Sequence, residues 1–184
     1  FLMRYNLMSA GQPGYDTPIR VGSKVVIVGG GNVAIDAARS ALRAGAQEVV
    51  VMYRRAEEDM PVRAEEKDRA KEEGILIMPL TAPLEFCGEA GVLTSIRCQK
   101  MDLGKPDESG RRSPAPIQGS DFIIDGVTTV VLAIGTEPNT TLMDQEGLPK
   151  GKWNTVALAN EQTGQTRQPD IFAAGDVAGG STVI

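Results

Sequence analysis

The sequence predicts an α/β fold of three layers built on a parallel sheet, and two observations support this prediction. Segments typical of strands and helices alternate as β-α-β-α-β between residues 24 and 78. The strand segments are short and apolar throughout, as expected for strands buried on both faces of a parallel sheet. Such alternation places helices over the sheet. A β-meander and one more apolar strand follow, so we expect the meander to replace the usual second crossover helix.

The first part of the chain supplies the alternating elements. Turn clusters at 11–14 and 16–18 predict a lead-in over 1–22 with little regular structure. After it we expect a strand at 24–28, a helix at 32–44, a strand at 48–53, a helix at 61–73 and a strand at 75–78. Gly45 and Gly74 follow the two helices, and glycine commonly ends a helix.

The second part predicts a meander, a further strand and a turn-rich end. Residues 84–87 and 92–101 flank the turn 88–91 and predict an antiparallel hairpin, to which 121–124 adds a third strand. Residues 104–119, rich in Pro, Gly, Ser and charge, predict an exposed loop. The remaining expected elements are an apolar strand at 127–134 and a last short strand at 171–174.

Composition argues against several classes of function. The chain has 19 Lys plus Arg against 24 Asp plus Glu and no basic stretch, so nucleic-acid binding is not expected. Its apolar runs are strand-sized, so no membrane span is predicted. Histidine, the commonest general base and metal ligand, is absent from the sequence. Cys87 and Cys98 form no C-x-x-C motif, and we expect two buried or half-buried free thiols in a reducing, cytoplasmic compartment.

A glycine-rich turn between the first strand and the first helix predicts a Rossmann-like, NAD(P)-binding domain. Residues 29–34 read GGGNVA and match the fingerprint G-x-G-x-x-A in the strand-turn-helix context that it requires. The first glycine allows a tight turn, the third lets the backbone approach a pyrophosphate, and the alanine lets the helix pack closely. The helix directs free N–H groups at the phosphates. The expected contacts are Gly29, Gly30, Gly31, Asn32, Val33 and Ala34. The alternative is a turn that binds no ligand.

The end of the second strand distinguishes between the two nicotinamide cofactors. A site for NAD usually carries an acid there, which accepts hydrogen bonds from the ribose 2′-hydroxyl. Here Arg54 and Arg55 follow the strand, and two guanidinium groups suit the 2′-phosphate of NADPH. Arg63, at the start of the next helix, is a candidate for reinforcing the site. The alternative is that the arginine pair lies on the surface and forms ion pairs with Glu57 and Glu58.

The last strand of the sheet predicts a second approach to the cofactor. A strand that ends beside the first one would bring Ile134 and Gly135 near the nicotinamide half, where glycine permits close approach of the backbone. The same residues are equally typical of a β-turn containing Pro138, and the sequence leaves both interpretations open.

Four motifs occur in a fixed order along the chain. They are the run 25–36 around the glycine fingerprint, Tyr53-Arg54-Arg55 followed by Met60-Pro61, Ala133-Ile134-Gly135 with Pro138-Asn139, and the run 169–176, which ends in Gly175-Asp176. Together they resemble the small-subunit (β) family of NADPH-dependent glutamate synthase, within the flavoproteins that pair an FAD domain with an NAD(P) domain. The resemblance covers nearly the whole chain.

The resemblance implies a division of the chain, because the NADPH domain of such flavoproteins is inserted into the FAD domain. Residues 1–21 would be a lead-in segment of the FAD domain, 22–136 the NADPH-binding domain, and 137–184 a truncated return segment of the FAD domain. Gly175 and Asp176 would approach the ribityl or pyrophosphate region of FAD, unless they form a simple turn. The FAD domain's own G-x-G-x-x-G and the iron–sulfur cysteines of such proteins are missing from this sequence. We therefore expect poor FAD binding and no turnover by this chain alone.

The resemblance also implies an activity, in which hydride passes from NADPH to FAD and electrons leave through iron–sulfur clusters to a large or electron-accepting partner subunit. Hydride transfer needs no protein acid or base, so the absence of histidine agrees with it. Glutamate synthase, an NADPH–ferredoxin bifurcating enzyme and a sulfide dehydrogenase share this module, so the final acceptor stays open. A non-catalytic module that senses NADPH is the other alternative, and the flavin motif at Gly175-Asp176 argues against it.

Overall fold

The computed structural model describes residues 1–106, 112–136, 138–151 and 154–179, which belong to two compact units, Phe1–Ile134 and Gly135–Ile184. The strands of the first unit are β1 (Lys24–Val28), β2 (Glu48–Met52), β3 (Leu76–Met78), β4 (Thr81–Glu89), β5 (Val92–Pro106), β6 (Arg112–Pro116), β7 (Phe122–Asp125) and β8 (Thr129–Leu132). Its helices are α1 (Leu2–Ser9), α2 (Asn32–Arg43) and α3 (Ala64–Glu72), with a 3-10 helix at Glu57–Asp59. The second unit contains α4 (Thr141–Gln145), β9 (Leu158–Asn160), β10 (Gln165–Thr166) and α5 (Asp176–Gly179).

A four-stranded parallel sheet forms the middle layer of the first unit. The strand order is β3-β2-β1-β8, and each neighbouring pair is parallel. Val26 of β1 is in register with Val50 of β2 on one side and with Val130 of β8 on the other. Val26 and Val50 are buried, as expected for β-branched residues in the centre of a sheet that is covered on both faces.

Helix α2 covers one face of this sheet, and its small side chains permit close packing. The buried residues of this layer form one cluster that includes Ala34, Ala37, Ala38 and Ala41 of α2 with Val25, Ile27, Val49 and Val51 of the sheet. Gly45 follows the helix with a φ of +99°, and its N–H donates to the carbonyl of Leu42. The predicted helix and its glycine stop are therefore confirmed.

The meander covers the opposite face of the sheet. Strand β5 pairs with β4, β6 and β7, always antiparallel. Buried side chains of the meander and of the parallel sheet form a second cluster. It includes Ile96, Cys98 and Ile124 of the meander and Val26, Val28, Val50 and Met52 of β1 and β2. Helices, parallel sheet and meander are thus three layers. This arrangement confirms the predicted fold, with the meander in the position of the second crossover helix.

The lead-in contains regular structure, so the prediction of little regular structure over residues 1–22 was wrong. Helix α1 occupies Leu2–Ser9. Phe1 and Leu2 pack against the cluster beneath α2, and the guanidinium of Arg4 lies 5.1 Å from the ring centroid of Tyr15. Contacts with residues distant in sequence therefore stabilise a segment whose turn clusters had suggested a loop.

Two predictions in the second half also need correction. The expected loop over 104–119 is largely strand, because β5 continues to Pro106 and β6 pairs with it through Met101↔Pro116 and Leu103↔Pro114. Proline is tolerated there because β6 lies at the edge of the meander sheet. The expected strand at 171–174 is reduced to one isolated bridge between Phe172 and Gln165.

The second unit has a small core of its own. Met143, Leu148 and Val156 are buried together, with Ile171, Ala173 and Val177 packed against them. Within the described ranges of both units, each helix is too short or too polar to cross a bilayer.

An arginine network attaches α3 to α2. Arg39 of α2 donates to Oε1 of Glu73 through Nε at 2.9 Å and Nη2 at 2.7 Å, and to Oε2 of Glu66 through Nη1 at 2.8 Å. The hydrogen bonds from Arg39 hold the pKa of the Glu73 carboxyl below its ordinary value of 4.5. Glu66 of α3 and Glu73 at its C-terminal end therefore attach this charged helix to α2.

Replacing Arg39 with Met is expected to lower the melting temperature at neutral pH and to lose this effect in acid. Because the pKa of Glu73 is lower in the folded chain, the stabilisation is present above pH 4.5 and disappears as the pH falls through the folded pKa. The side chains of Arg39 and Glu73 are 20% and 33% exposed, so solvent screening limits the stabilisation. We expect about 1 kcal/mol at pH 7, or roughly 3 °C. Thermal unfolding at pH 7 and pH 3 checks this, and an undiminished difference at pH 3 would contradict it.

The two free thiols differ in accessibility. Cys98 is buried between the meander and the sheet, whereas Cys87 is half-buried. Burial raises the pKa of the Cys98 thiol to about 11. The prediction of buried or half-buried free thiols is therefore confirmed.

Iodoacetamide at pH 8 is expected to alkylate Cys87 and to spare Cys98 in the native chain. With a pKa of about 11, only about 0.1% of Cys98 is thiolate at pH 8, and the thiolate is the reacting form. Peptide mass spectrometry after timed labelling measures both sites. Guanidinium should make both cysteines react, and equal native rates would contradict the burial of Cys98.

Candidate functional site

The turn 29–31 joins β1 to α2, and its first glycine is required by close packing. Gly29 has a φ of +145°, and a Cβ there would lie 2.9 Å from the carbonyl carbon of Ala133, with the carbonyl oxygen closer still. The N–H of Gly29 donates to the carbonyl of Met52 at 3.0 Å, and Ala133 N–H donates to Val28 at 2.8 Å. Adjacent strands therefore meet at this turn, at the carboxyl edge of the sheet.

The next two glycines have different surroundings. A Cβ at Gly30 would lie 2.5 Å from the ring of Tyr53, so the aromatic side chain occupies that space. Gly31 has an ordinary φ of −89°, and a Cβ there would meet no atom of the described residues within 4 Å. Gly31 is also the N-cap residue of α2, whose first N–H groups have no partner within the helix. The open side of this turn can therefore accept an anionic group close to the backbone.

The start of helix α3 lies beside the start of α2, and the two helices line a small cleft. Asn32 Oδ1 accepts a hydrogen bond of 3.4 Å from the backbone N–H of Arg63, the N-cap residue of α3. A cleft of about 260 Å³ lies here, lined by Asn32, Ile35, Asp36, Arg63 and Glu66. The structure thus brings Arg63 beside the start of α2, whereas the sequence had suggested it as a reinforcing cation for the 2′-phosphate site. Its contact with a phosphate stays a prediction.

The arginine pair lies on a segment whose backbone is held at several points. The carbonyl of Arg55 accepts from Leu80 N–H at 2.9 Å, and the hydroxyl of Tyr53 donates to the carbonyl of Asp59 at 3.1 Å. Arg54 is exposed and Arg55 is half-buried.

The proposed competing ion pairs do not form in the structure. Neither Arg54 nor Arg55 pairs with Glu57 or Glu58, the alternative that the sequence left open; the carboxylate of Glu57 pairs instead with two lysines of α3. Among the residues that the structure describes, no carboxylate forms an ion pair with either guanidinium group, which agrees with a role in ligand binding.

Four further predicted site residues lie on the first turn of α2 or after β8. Ala34 is fully buried against the sheet, in agreement with its expected packing role, whereas Val33 is 59% exposed on the first turn of α2. Ile134, the last residue of the first unit, is 72% exposed. Gly135 begins the second unit with a φ of +95°. The roles of Val33, Ile134 and Gly135 in cofactor binding stay predictions.

The predicted flavin motif lies in the second unit. Gly175 has a φ of +73° and precedes α5, and its carbonyl accepts from Ala178 N–H at 3.0 Å. Asp176 is exposed. A cavity of about 900 Å³ in this unit is lined by 13 residues that include Gly151, Thr155, Gly164 and Gly175. The assignment of Gly175 and Asp176 to FAD stays a prediction.

Two residues that pack against the glycine turn were not predicted from the sequence. Tyr53 fills the space beside Gly30, and Ala133 forces glycine at position 29. Both belong to motifs that the sequence displayed, but their contacts depend on strands that are distant in sequence. Periodicity alone contains no signal for them.

Known proteins resemble this chain over most of its length. The profile of the pyridine nucleotide-disulphide oxidoreductase family matches residues 5–184. The NADPH-Fe(3+) oxidoreductase subunit beta of Geobacter sulfurreducens is 44% identical over 141 residues, which are 76% of this chain and 21% of that protein. The glutamate synthase [NADPH] small chain of Azospirillum brasilense is 36% identical over 165 residues, 89% of this chain and 34% of that protein. The chain therefore spans about a fifth to a third of these curated relatives.

These relatives confirm the resemblance that the four sequence motifs indicated. Among solved structures, Mycobacterium tuberculosis FprA in complex with NADPH superposes with a TM-score of 0.69 at 19% identity, covering 89% of this chain and 49% of that chain. An identity this low supports the fold alone, and the fold agrees with the layers described above.

Proposed function

The chain belongs to the pyridine nucleotide-disulphide oxidoreductase family, and we propose that it is the NADPH-binding part of a flavoprotein oxidoreductase in which hydride from NADPH reduces FAD. One observation carries the proposal. The open turn at Gly31 and the guanidinium groups of Arg54 and Arg55, which form no ion pair with any described residue, all follow the carboxyl ends of adjacent parallel strands. Ligands of open α/β sheets bind at this edge.

The residues present fit a dinucleotide phosphate. The N–H groups at the start of α2 would hold the pyrophosphate, because Gly31 leaves space for it and the helix dipole favours negative charge. Arg54 and Arg55 would hold the 2′-phosphate by charge-assisted hydrogen bonds. Arg63 would add positive charge at the cleft beside Asn32. When bound, NADPH supplies a hydride donor, and the protein's contribution is position and orientation.

The acceptor side of the reaction belongs to the same proposal. We propose that Gly175 and Asp176, with the rest of residues 137–184, contribute to an FAD domain, and that residues 1–21 lead into it. Electrons would leave FAD through iron–sulfur clusters to a partner subunit. The relatives' names support a shared donor with different acceptors, since one is an NADPH-Fe(3+) oxidoreductase subunit and another a glutamate synthase small chain.

Titration of the chain with NADPH and NADH by calorimetry tests the cofactor assignment. We expect saturable NADPH binding at a 1:1 ratio and at least about 100-fold weaker NADH binding, because two charge-assisted contacts to the 2′-phosphate are lost. A chain that binds neither dinucleotide would contradict the proposal.

The absorption spectrum of the full-length protein tests the redox part. A bound flavin that NADPH bleaches under anaerobic conditions supports the oxidoreductase. A colourless protein that still binds NADPH would support the non-catalytic sensor instead.

A further inference from the structure

An acidic residue, Glu57, lies close in sequence to the arginine pair. Glu57 follows Arg55 by two residues and begins the 3-10 helix at Glu57–Asp59. A carboxylate so close to two guanidinium groups is a natural partner for them, since arginine and carboxylate form bidentate pairs. Such a pair would occupy the groups that the proposed 2′-phosphate needs and would repel the phosphate.

The structure shows the Glu57 carboxylate engaged elsewhere. Lys71 of α3 forms an ion pair with its Oε1, and Lys67 lies 3.5 Å from the same atom. Lys67 Nζ also donates to the backbone carbonyl of Glu57 at 3.4 Å. The hydrogen bond from Lys71 lowers the pKa of Glu57, so the carboxylate is charged at neutral pH and its position matters.

The Lys67 contact is half-buried, whereas the side chain of Lys71 is more exposed. The side chain of Lys67 is 19% exposed and that of Glu57 is 31% exposed. The hydroxyl of Tyr53 donates to the carbonyl of Asp59, which links the two ends of the segment that carries Arg54 and Arg55. Two lysines of α3 therefore hold the Glu57 carboxylate.

We infer that Lys67 and Lys71 are positioning residues for cofactor selection: they hold the Glu57 carboxylate on α3 and keep the guanidinium groups of Arg54 and Arg55 free for a 2′-phosphate. The inference rests on the proposed NADPH site and extends it to α3, which carries no predicted ligand contact at these positions. Selection of NADPH over NADH would then depend on residues that never touch the cofactor.

A double-mutant cycle separates this role from general electrostatics. Lys67→Met with Lys71→Met should weaken NADPH binding about tenfold, the size typical of coupled neighbours, while the NADH affinity changes less than about twofold. Adding Glu57→Gln to that variant should restore NADPH affinity to within about threefold of wild type, because the competing carboxylate is gone. Lys71→Arg should retain the affinity, since it keeps a cation on Glu57.

The controls distinguish the possible failures. Lys24→Met removes one of the two positive charges that the double variant loses and breaks an ion pair with Glu48, at 3.1 Å, at the opposite end of β1; it should leave the NADPH affinity unchanged. If Glu57→Gln changes affinity by the same factor with and without the lysines, the lysines act only through their charge and the inference is overturned. If the wild-type chain binds no NADPH, or Arg54→Ala with Arg55→Ala changes nothing, the proposed site itself fails and the inference falls with it.

Discussion

Gly31→Asp is expected to weaken binding of both NADPH and NADH strongly while the chain folds normally. The backbone of Gly31 has a φ of −89°, which any residue adopts, and a side chain would enter open space. Aspartate is also a preferred N-cap residue, so α2 should be as stable or more stable. A carboxylate placed where a pyrophosphate approaches costs several kcal/mol by like-charge repulsion, which corresponds to roughly a 100-fold loss or more.

Calorimetric titration with both dinucleotides, together with a melting curve, measures this effect. Gly31→Ser caps the helix without adding charge and should retain more affinity than the aspartate. Gly29→Ala should behave in the opposite way, since its Cβ would overlap the carbonyl of Ala133 and its φ of +145° is strained, so folding suffers first. Unchanged NADPH affinity in Gly31→Asp would exclude this turn as the pyrophosphate site.

Arg54→Ala combined with Arg55→Ala is expected to remove the preference for NADPH over NADH. Each charge-assisted hydrogen bond to the 2′-phosphate contributes about 1.5–3 kcal/mol, so losing two predicts at least about a 100-fold weaker NADPH complex. NADH lacks that phosphate, and its affinity should change less than about threefold. Neither guanidinium pairs with Glu57 or Glu58, so the substitution should cost little stability.

The ratio of the two dissociation constants at one ionic strength is the decisive measurement, because salt screens phosphate contacts. Arg97→Ala is a control for the loss of an arginine elsewhere on the surface. It removes one positive charge from the meander, where Arg97 pairs with Glu85 and Asp121, and should leave both affinities unchanged. If the double variant loses NADPH and NADH equally, the assignment of the 2′-phosphate to this pair is wrong.

Much of the fold could be predicted because its signals are local. The apolar run of β1, the glycines that follow it and the alanines of α2 are close in sequence, and each has one physical interpretation. The lead-in and the segment 104–119 were predicted wrongly for the opposite reason. Helix α1 packs on residues around α2, and β6 exists because β5 offers a free edge to pair with.

For the candidate site, too, the sequence identified the residues but not their contacts. The positions of Gly29, Gly31, Arg54 and Arg55 came from motifs that the sequence shows directly. The residues that contact or surround them could not be read from those motifs. The sequence favoured arginines that bind a 2′-phosphate but left ion pairs with Glu57 and Glu58 open, and the side-chain contacts of Glu57 decided between them.

By itself, the sequence determined the order of the layers, the turn at which a dinucleotide is expected, and the charge offered to its 2′-phosphate. These follow from patterns within a few turns or strands, where backbone geometry leaves few choices. Only the tertiary structure decided that Ala133 makes glycine necessary at position 29, that Gly31 borders open space, and that α3 holds Glu57 away from the arginines. The reason is physical: those properties belong to pairs of residues that meet only after the chain has packed, and no local pattern specifies which distant atoms will be neighbours.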